Sequence, residues 1–357
     1  MGGTQPSLAR RINRFAATLK RIAGILGKSV LYALGSATLL SFLFFGLLNS
    51  RDQAVYELAG QQTDSATIAA LKKEMRMDLP LWQQVAWYLN DLSPVGLKCP
   101  LNQACAWGLK WPSLGKSYQT GRQVSSIIAS AFPATLLLAL ASMLMAGVLG
   151  IALGYAAALN ENRWWEKALL GISTAGMALP SFFSAILVAW LFGYVFREFT
   201  GLPPWGSLYS IDNLTGERHL ALQHLLLPAL TLGIRPLSVM LQMTKNTLLS
   251  NRNLLFIRTA EAKGLNQGRV WFVHLLRASL GPVWTTFTGW FGSLLAGAVF
   301  VEYIFGWKGI GRELVVGIQT MDYPVVMGCI VTTSALFALL NGLTDLGHEW
   351  LDPQRRK

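Results

Sequence analysis

The sequence predicts an all-α integral membrane protein with six transmembrane helices, and three observations carry that prediction. Of 357 residues, 52% are hydrophobic and only 13% are charged, about half the charged share of a soluble domain, so polar side chains are too few to cover a globule in water. Six stretches are each apolar over the roughly 20 residues that one membrane crossing needs. The basic residues, 30 Lys and Arg against 18 Asp and Glu for a net charge of +12, gather on alternate connections between those stretches. Three Cys are too few for a disulfide scaffold, and the apolar content excludes a disordered chain.

The first span is expected over residues 29–48, uncharged, too long for a signal-peptide core and without a clear cleavage site, so it is read as retained. The second, 127–158, is rich in Ala and Gly, which lets helices approach closely in lipid. The third (168–196), fourth (223–249) and fifth (281–305) carry Pro180, Pro228, Pro236, Gly289, Gly292 and Gly297, tolerable where neighbouring helices satisfy the freed backbone groups. The sixth is 325–347.

Six spans place both termini on one side, and the charges say which. Residues 1–28, the short loop with Glu161, Arg163, Glu166 and Lys167, the stretch 245–280 and the C-terminal end from Asp345 to Lys357 hold seventeen basic and six acidic residues, a net +11. Everything else sums to +1. The basic side is cytoplasmic by the positive-inside rule, so the basicity is a topology signal and calls for no nucleic acid. The chain then divides into a basic N-terminal segment (1–28), a first span (29–48), an external loop (49–126), a five-helix core (127–347) containing a cytoplasmic loop (249–280), and a tail (348–357). In the external loop, a helical stretch precedes Cys99 and Cys105, which can close a small disulfide in an oxidising compartment or stay as two thiols. Cys329 falls in the last span, as packing.

Chemistry of its own is hard to find. GILGKS (Gly24–Ser29) and SLGKS (Ser113–Ser117) lack the earlier glycine that a phosphate-wrapping loop needs. No His pair, metal-spaced Cys/His cluster or G-x-S-x-G occurs, so neither a metal site nor a membrane hydrolase is expected. Arg235 lies in the middle of the fourth span and Glu302 near the outer end of the fifth. A mid-membrane cation requires a partner or a watery cavity, so Arg235 is a candidate for the translocation path, the alternative being that it snorkels to the surface.

The stretch NRNLLFIRTAEAKGLNQGRVWFVHLLRASLGP between spans four and five reads as two short amphipathic helices around Gly264. Leu254, Leu255, Ile257 and Ala262 lie among charges in the first, and a Gly after Lys263 makes a good helix stop. Such a helix suits a groove on a partner protein or the headgroup layer of the lipid. RTAEAKGL followed by HLLRASLGP resembles the cytoplasmic signature of permease subunits of binding-protein-dependent ABC importers, of the dipeptide/oligopeptide/nickel type. Arg258 stands where the general family has an acidic residue, as in the peptide-type variant R-T-A-x-A-K-G-L. Further resemblances run from about residue 74 to the end: MDLPLWQQVAWYL, FPATLLLALASM, ALPSFFSAILV, AVFVEYIFGWKGIGRELVVGIQTMDYPVVMG and NGLTDLGHEWLDPQRRK. A Pro-Gly-Asp-Pro element usual after the first span is absent from FGLLNSRDQ.

The resemblance implies a bacterial inner-membrane permease, both termini cytoplasmic, pairing with a second homologous permease. Two ABC ATPase subunits would bind the ATP, so this chain would hold no cofactor and be no enzyme. A periplasmic or lipid-anchored binding protein would deliver short peptides, a nickel chelate or another small solute. Arg258, Thr259, Ala260, Glu261, Ala262, Lys263, Gly264 and Leu265 would form the coupling helix, and Arg235, Ser181, Ser184 and Glu302 are candidates to line the path. An ion-coupled secondary transporter or channel is the alternative; it would need buried acidic or His sites and leaves the cytoplasmic signature unexplained.

Overall fold

A computed structural model describes residues 23–25, 27–39, 41–42, 64, 68–69, 72–73, 78–98, 106–211 and 218–351. The Cys99 and Cys105 pair, most of the basic N-terminal segment, the end of the first expected span and the last six residues lie outside them. The described chain is mostly helical. In order it forms α1 (Ala23–Leu39), α2 (Leu81–Leu92), β1 (Val95–Lys98), β2 (Ala106–Leu109), α3 (Val124–Leu159), α4 (Trp164–Ala178) and α5 (Ser181–Trp190). Then follow β3 (Tyr209–Ile211), β4 (Arg218–Leu220), α6 (Gln223–Asn251), α7 (Leu255–Ala262), α8 (Leu276–Ile304), α9 (Ile310–Gln319) and α10 (Tyr323–Leu351).

Among the described residues, three helices are long and apolar enough to cross a membrane: α3, α6 and Tyr323–Thr344 of α10. The third and fifth expected spans are each bent pairs, by 118° between Trp164–Ala178 and Ser181–Val195 and by 57° between Gln267–Leu295 and Gly297–Ile304. The expectation of one continuous third helix is therefore corrected. Pro180 supplies no N–H, and the residue before a proline is pushed out of the helical region; Leu179 is extended at ψ 137°. Between the helices lie two short antiparallel hairpins, β1–β2 and β3–β4. Asn90 of α2 helps make the first: its side chain accepts from Leu97 N at 2.8 Å and donates to Leu97 O at 3.1 Å, clamping β1 to the helix.

The chain forms two compact units. One comprises residues 1–129 and 316–343. Within it, buried Asp322, just after α9, has a carboxylate that accepts from Ser117 Oγ (2.5 Å), Tyr118 N (3.0 Å) and Gln119 N (3.4 Å), some 200 residues away in sequence. The end of α9 is a Schellman cap, with Asp322 N bonded to Gly317 O and Met321 N to Ile318 O. The left-handed position that glycine usually takes there is held by Met321, at φ 53°.

The other unit comprises residues 130–315 and 344–357, and α6 is its axis. Leu138 and Met143 of α3, Ala185 and Val188 of α5, Leu227 and Leu232 of α6, Leu294 and Val301 of α8, with Phe305 and Trp307, make its core. The Gly150-x-x-x-Gly154 pair brings α3 onto α6: a Cβ at Gly150 would meet Met240 Cβ at 2.5 Å, and one at Gly154 would meet Leu241 O at 2.5 Å. This is the close approach that small residues allow in membrane helices. A second, smaller core joins Ala158, Leu248, Ile257, Ala260, Val270 and Leu275.

Candidate functional site

The stretch after α6 folds as a short helix pinned on one side. In α7, Ile257 and Ala260 point into the second core while Leu255, Phe256, Arg258, Thr259, Glu261, Ala262 and Lys263 are exposed. Leu255 is 81% exposed, a large apolar side chain offered outward beside charges. The helix ends in a Schellman cap, with Leu265 N bonded to Ala260 O (3.4 Å), Gly264 N to Glu261 O (2.9 Å) and Gly264 at φ 76°. Open space surrounds Gly264, so only its backbone conformation demands glycine. Asn266 then caps the next turn by accepting from Gly268 N at 2.9 Å.

Of the eight residues singled out from sequence, Ala260 faces inward, Leu265 is half-buried, and the other six form an exposed surface. The two-helix expectation is corrected in its second half. Gln267–Arg269 run through a π-helical turn, Val270–Leu275, straight into α8, so there is one short helix and the foot of a long one.

Side chains brace this loop from α3, α4 and α6. Tyr155 meets Trp271 and Phe272 edge-on, at 6.5 and 6.1 Å between ring centres. The Arg252 guanidinium lies 5.6 Å from the centre of the Trp271 ring and 3.8 Å from Glu161 Oε2. Asn251 Nδ2 donates to Ser279 Oγ at 3.2 Å. Lys245 pairs with the buried Glu166. In the sequence, Glu161, Glu166, Lys245 and Arg252 stand out only as topology markers. A local signal for the pairing was the spacing of Lys245 and Arg252, two helical turns apart on one face of α6.

Among the described residues, no hydrogen bond or ion pair joins any two of the four path candidates. Arg235 is exposed near the middle of α6, on a stripe with Val239, Gln242 and Asn246. Ser181 is half-buried at the start of α5, and Ser184 is buried one turn later. Glu302 is fully buried, and its Oε2 accepts from Gly311 N (2.7 Å) and Arg312 N (3.2 Å), where the peptide dipoles of α9 favour a negative charge. Beside it, Ile310 N bonds Thr135 Oγ1 (2.8 Å) and the Trp307 indole donates to Ala134 O (2.9 Å). The Glu302 carboxylate is thus fitted as a helix cap. The capped residues Gly311 and Arg312 lie nine and ten residues beyond Glu302, outside the spacings that helical periodicity reports.

Comparison with known proteins places these features. Residues 150–357 match the model of the binding-protein-dependent transport system inner membrane component, and residues 18–139 match its N-terminal companion. The chain is 33% identical over 332 residues to the di/tripeptide transport system permease protein DppB of Pseudomonas aeruginosa, covering 89% of this chain and 94% of that one. It is 32% identical to the probable D,D-dipeptide transport system permease protein DdpB of Escherichia coli, covering 83% and 86%. It is 31% identical to the glutathione transport system permease protein GsiC of Salmonella choleraesuis, covering 95% and 98%. A solved structure of the MetNI methionine ABC transporter, facing inward, overlaps 64% of this chain and 95% of its own at TM-score 0.47 and 15% identity, too distant to add to the assignment. The chain belongs to the inner-membrane permeases of binding-protein-dependent ABC importers, of the dipeptide type.

Proposed function

We propose that this chain forms half of a membrane path that imports short peptides, driven by ATP hydrolysed on separate subunits. The observation that carries the reading is the exposed, rigidly capped helix α7, whose fixed inner face and outward Leu255, Phe256 and Arg258 suit docking into a groove on a partner. Arg258 to Leu265 are the residues assigned to that coupling contact. A second homologous permease completes the path, two ABC ATPases bind the ATP, and a periplasmic or lipid-anchored protein delivers cargo. The chain itself carries no cofactor, and its six crossings, with α1 and the two bent pairs each counted as one, leave both termini in the cytoplasm. The segment 49–126 then faces outward. Arg235, exposed on one stripe of α6 with Gln242 and Asn246, is the strongest path residue in this scheme, with Ser181 at the start of α5.

Peptide cargo is supported by relatives named for di- and tripeptides, D,D-dipeptides and glutathione. No comparable support favours a nickel chelate or an ion-coupled mechanism. The test is uptake of labelled dipeptide and glutathione into proteoliposomes holding the complete complex with its binding protein. ATP-dependent accumulation of at least one is expected; accumulation that follows an imposed ion gradient and ignores ATP would overturn the reading.

A further inference from the structure

The fully buried residues that helix α4 brings to its packing are polar, and polar contacts link it to α6. Its buried residues are Glu166 and Ser173, whereas α6 buries thirteen residues, most of them apolar. Three contacts form a ladder between the antiparallel helices: Glu166 to Lys245, Ser173 O to Ser238 Oγ (2.9 Å) and Thr174 Oγ1 to Gln242 Nε2 (3.3 Å). The Glu166–Lys245 rung is the buried one that carries charge, with the side chains 5% and 15% exposed. A buried ion pair is poor cement, because desolvation offsets much of its attraction, but it holds one register and orientation. Glu166 also sits in the first turn of α4, where the helix dipole favours its charge.

The position of this rung gives it a use. Lys245 lies two turns before Arg252, which joins α6 to α7 and packs on Trp271 at the foot of α8. At its other end α4 runs to the 118° break at Leu179 and Pro180, and beyond it α5 packs on α6 and α8, with Phe182 lying 6.2 Å from Phe300. A displacement of α7 would therefore reach α4 through the ion pair and be turned into α5 by the break. A non-directional apolar contact would let the helices slide past one another instead.

We propose that Glu166 and Lys245 are positioning residues, an ion-pair clamp that transmits movement of the α7 loop to the bent α4–α5 element. This rests on the coupling role proposed for α7. The test uses the complete complex in proteoliposomes, with peptide uptake and ATP hydrolysis measured on one preparation. Glu166→Gln combined with Lys245→Met removes both charges and keeps the volume, leaving no unpaired ion buried. Assembly and ATPase rate should persist while peptide moved per ATP falls about tenfold, a typical size for coupling between sites. Exchanging the charges, Glu166→Lys with Lys245→Glu, should regain part of that ratio, part only because lysine opposes the dipole at the start of α4. A wild-type ratio in the neutral pair, or equal loss of uptake and ATPase, overturns the clamp while leaving the permease reading intact. Wild-type complex that hydrolyses ATP without moving peptide overturns both.

Discussion

Carboxylates hold this molecule together in two ways, three of them buried (Glu166, Glu302 and Asp322) and one exposed (Glu161), and their partners differ. Glu302 and Asp322 are held chiefly by backbone N–H groups: Gly311 and Arg312 for the first, Tyr118 and Gln119, with the Ser117 hydroxyl, for the second. Glu161 and Glu166 are held by side-chain cations, Arg252 and Lys245. A peptide N–H is fixed by the chain on either side of it, so a carboxylate satisfied that way locks two segments together. A lysine on a four-carbon stem can follow a moving partner while keeping its bond. The difference separates a scaffold from a linkage, and the cation-held pair lies next to the loop proposed to move.

Glu302→Ala is the sharpest way to break that comparison. It strands two buried N–H groups and opens a cavity, so the purified complex should lose roughly 2–4 kcal/mol of stability by denaturant unfolding, with the yield of membrane-inserted chain falling in step. Glu302→Gln, which keeps one acceptor oxygen, should recover more than half of the loss. Full stability with impaired uptake would instead return Glu302 to the translocation path, where the sequence had put it. The smallest effect is expected at Met321, whose left-handed backbone is strained beside Asp322. Met321→Gly should relieve that strain and stabilise the same preparation by about 1 kcal/mol or less. A loss of stability there would show that the Met321 side chain, which accepts from Tyr323 Oη at 3.1 Å, matters more than its backbone.

How far the sequence alone reached follows the range of the interactions. Hydrophobic runs report burial residue by residue, so the long apolar helices stand close to where the runs put them. The stop at Gly264 was equally legible, because a helix cap is written in the few residues that make it. The break at Pro180 was not. Pro133, Pro228, Pro236 and Pro282 all sit inside continuous helices, while Pro180 ends one. Residue type is the same in each case, and packing decides: α6 is enclosed along most of its length and keeps two prolines, whereas α4 buries two residues and has little to hold it straight. Glu166 and Asp322 were opaque for a related reason. The cation for Glu166 lies 79 residues away and the hydroxyl for Asp322 lies 205 away, beyond any local pattern.

The central claim is that α7 couples this permease to ATP hydrolysed elsewhere, and Gly264 tests it most directly. Gly264→Asn keeps a residue that tolerates the left-handed cap and adds little bulk, whereas Gly264→Trp strains the cap and crowds the exposed surface. With both variants in the complete reconstituted complex, membrane insertion should be normal in each, ATP-dependent peptide uptake largely kept by Asn and abolished by Trp. Wild-type uptake in Gly264→Trp would contradict the account.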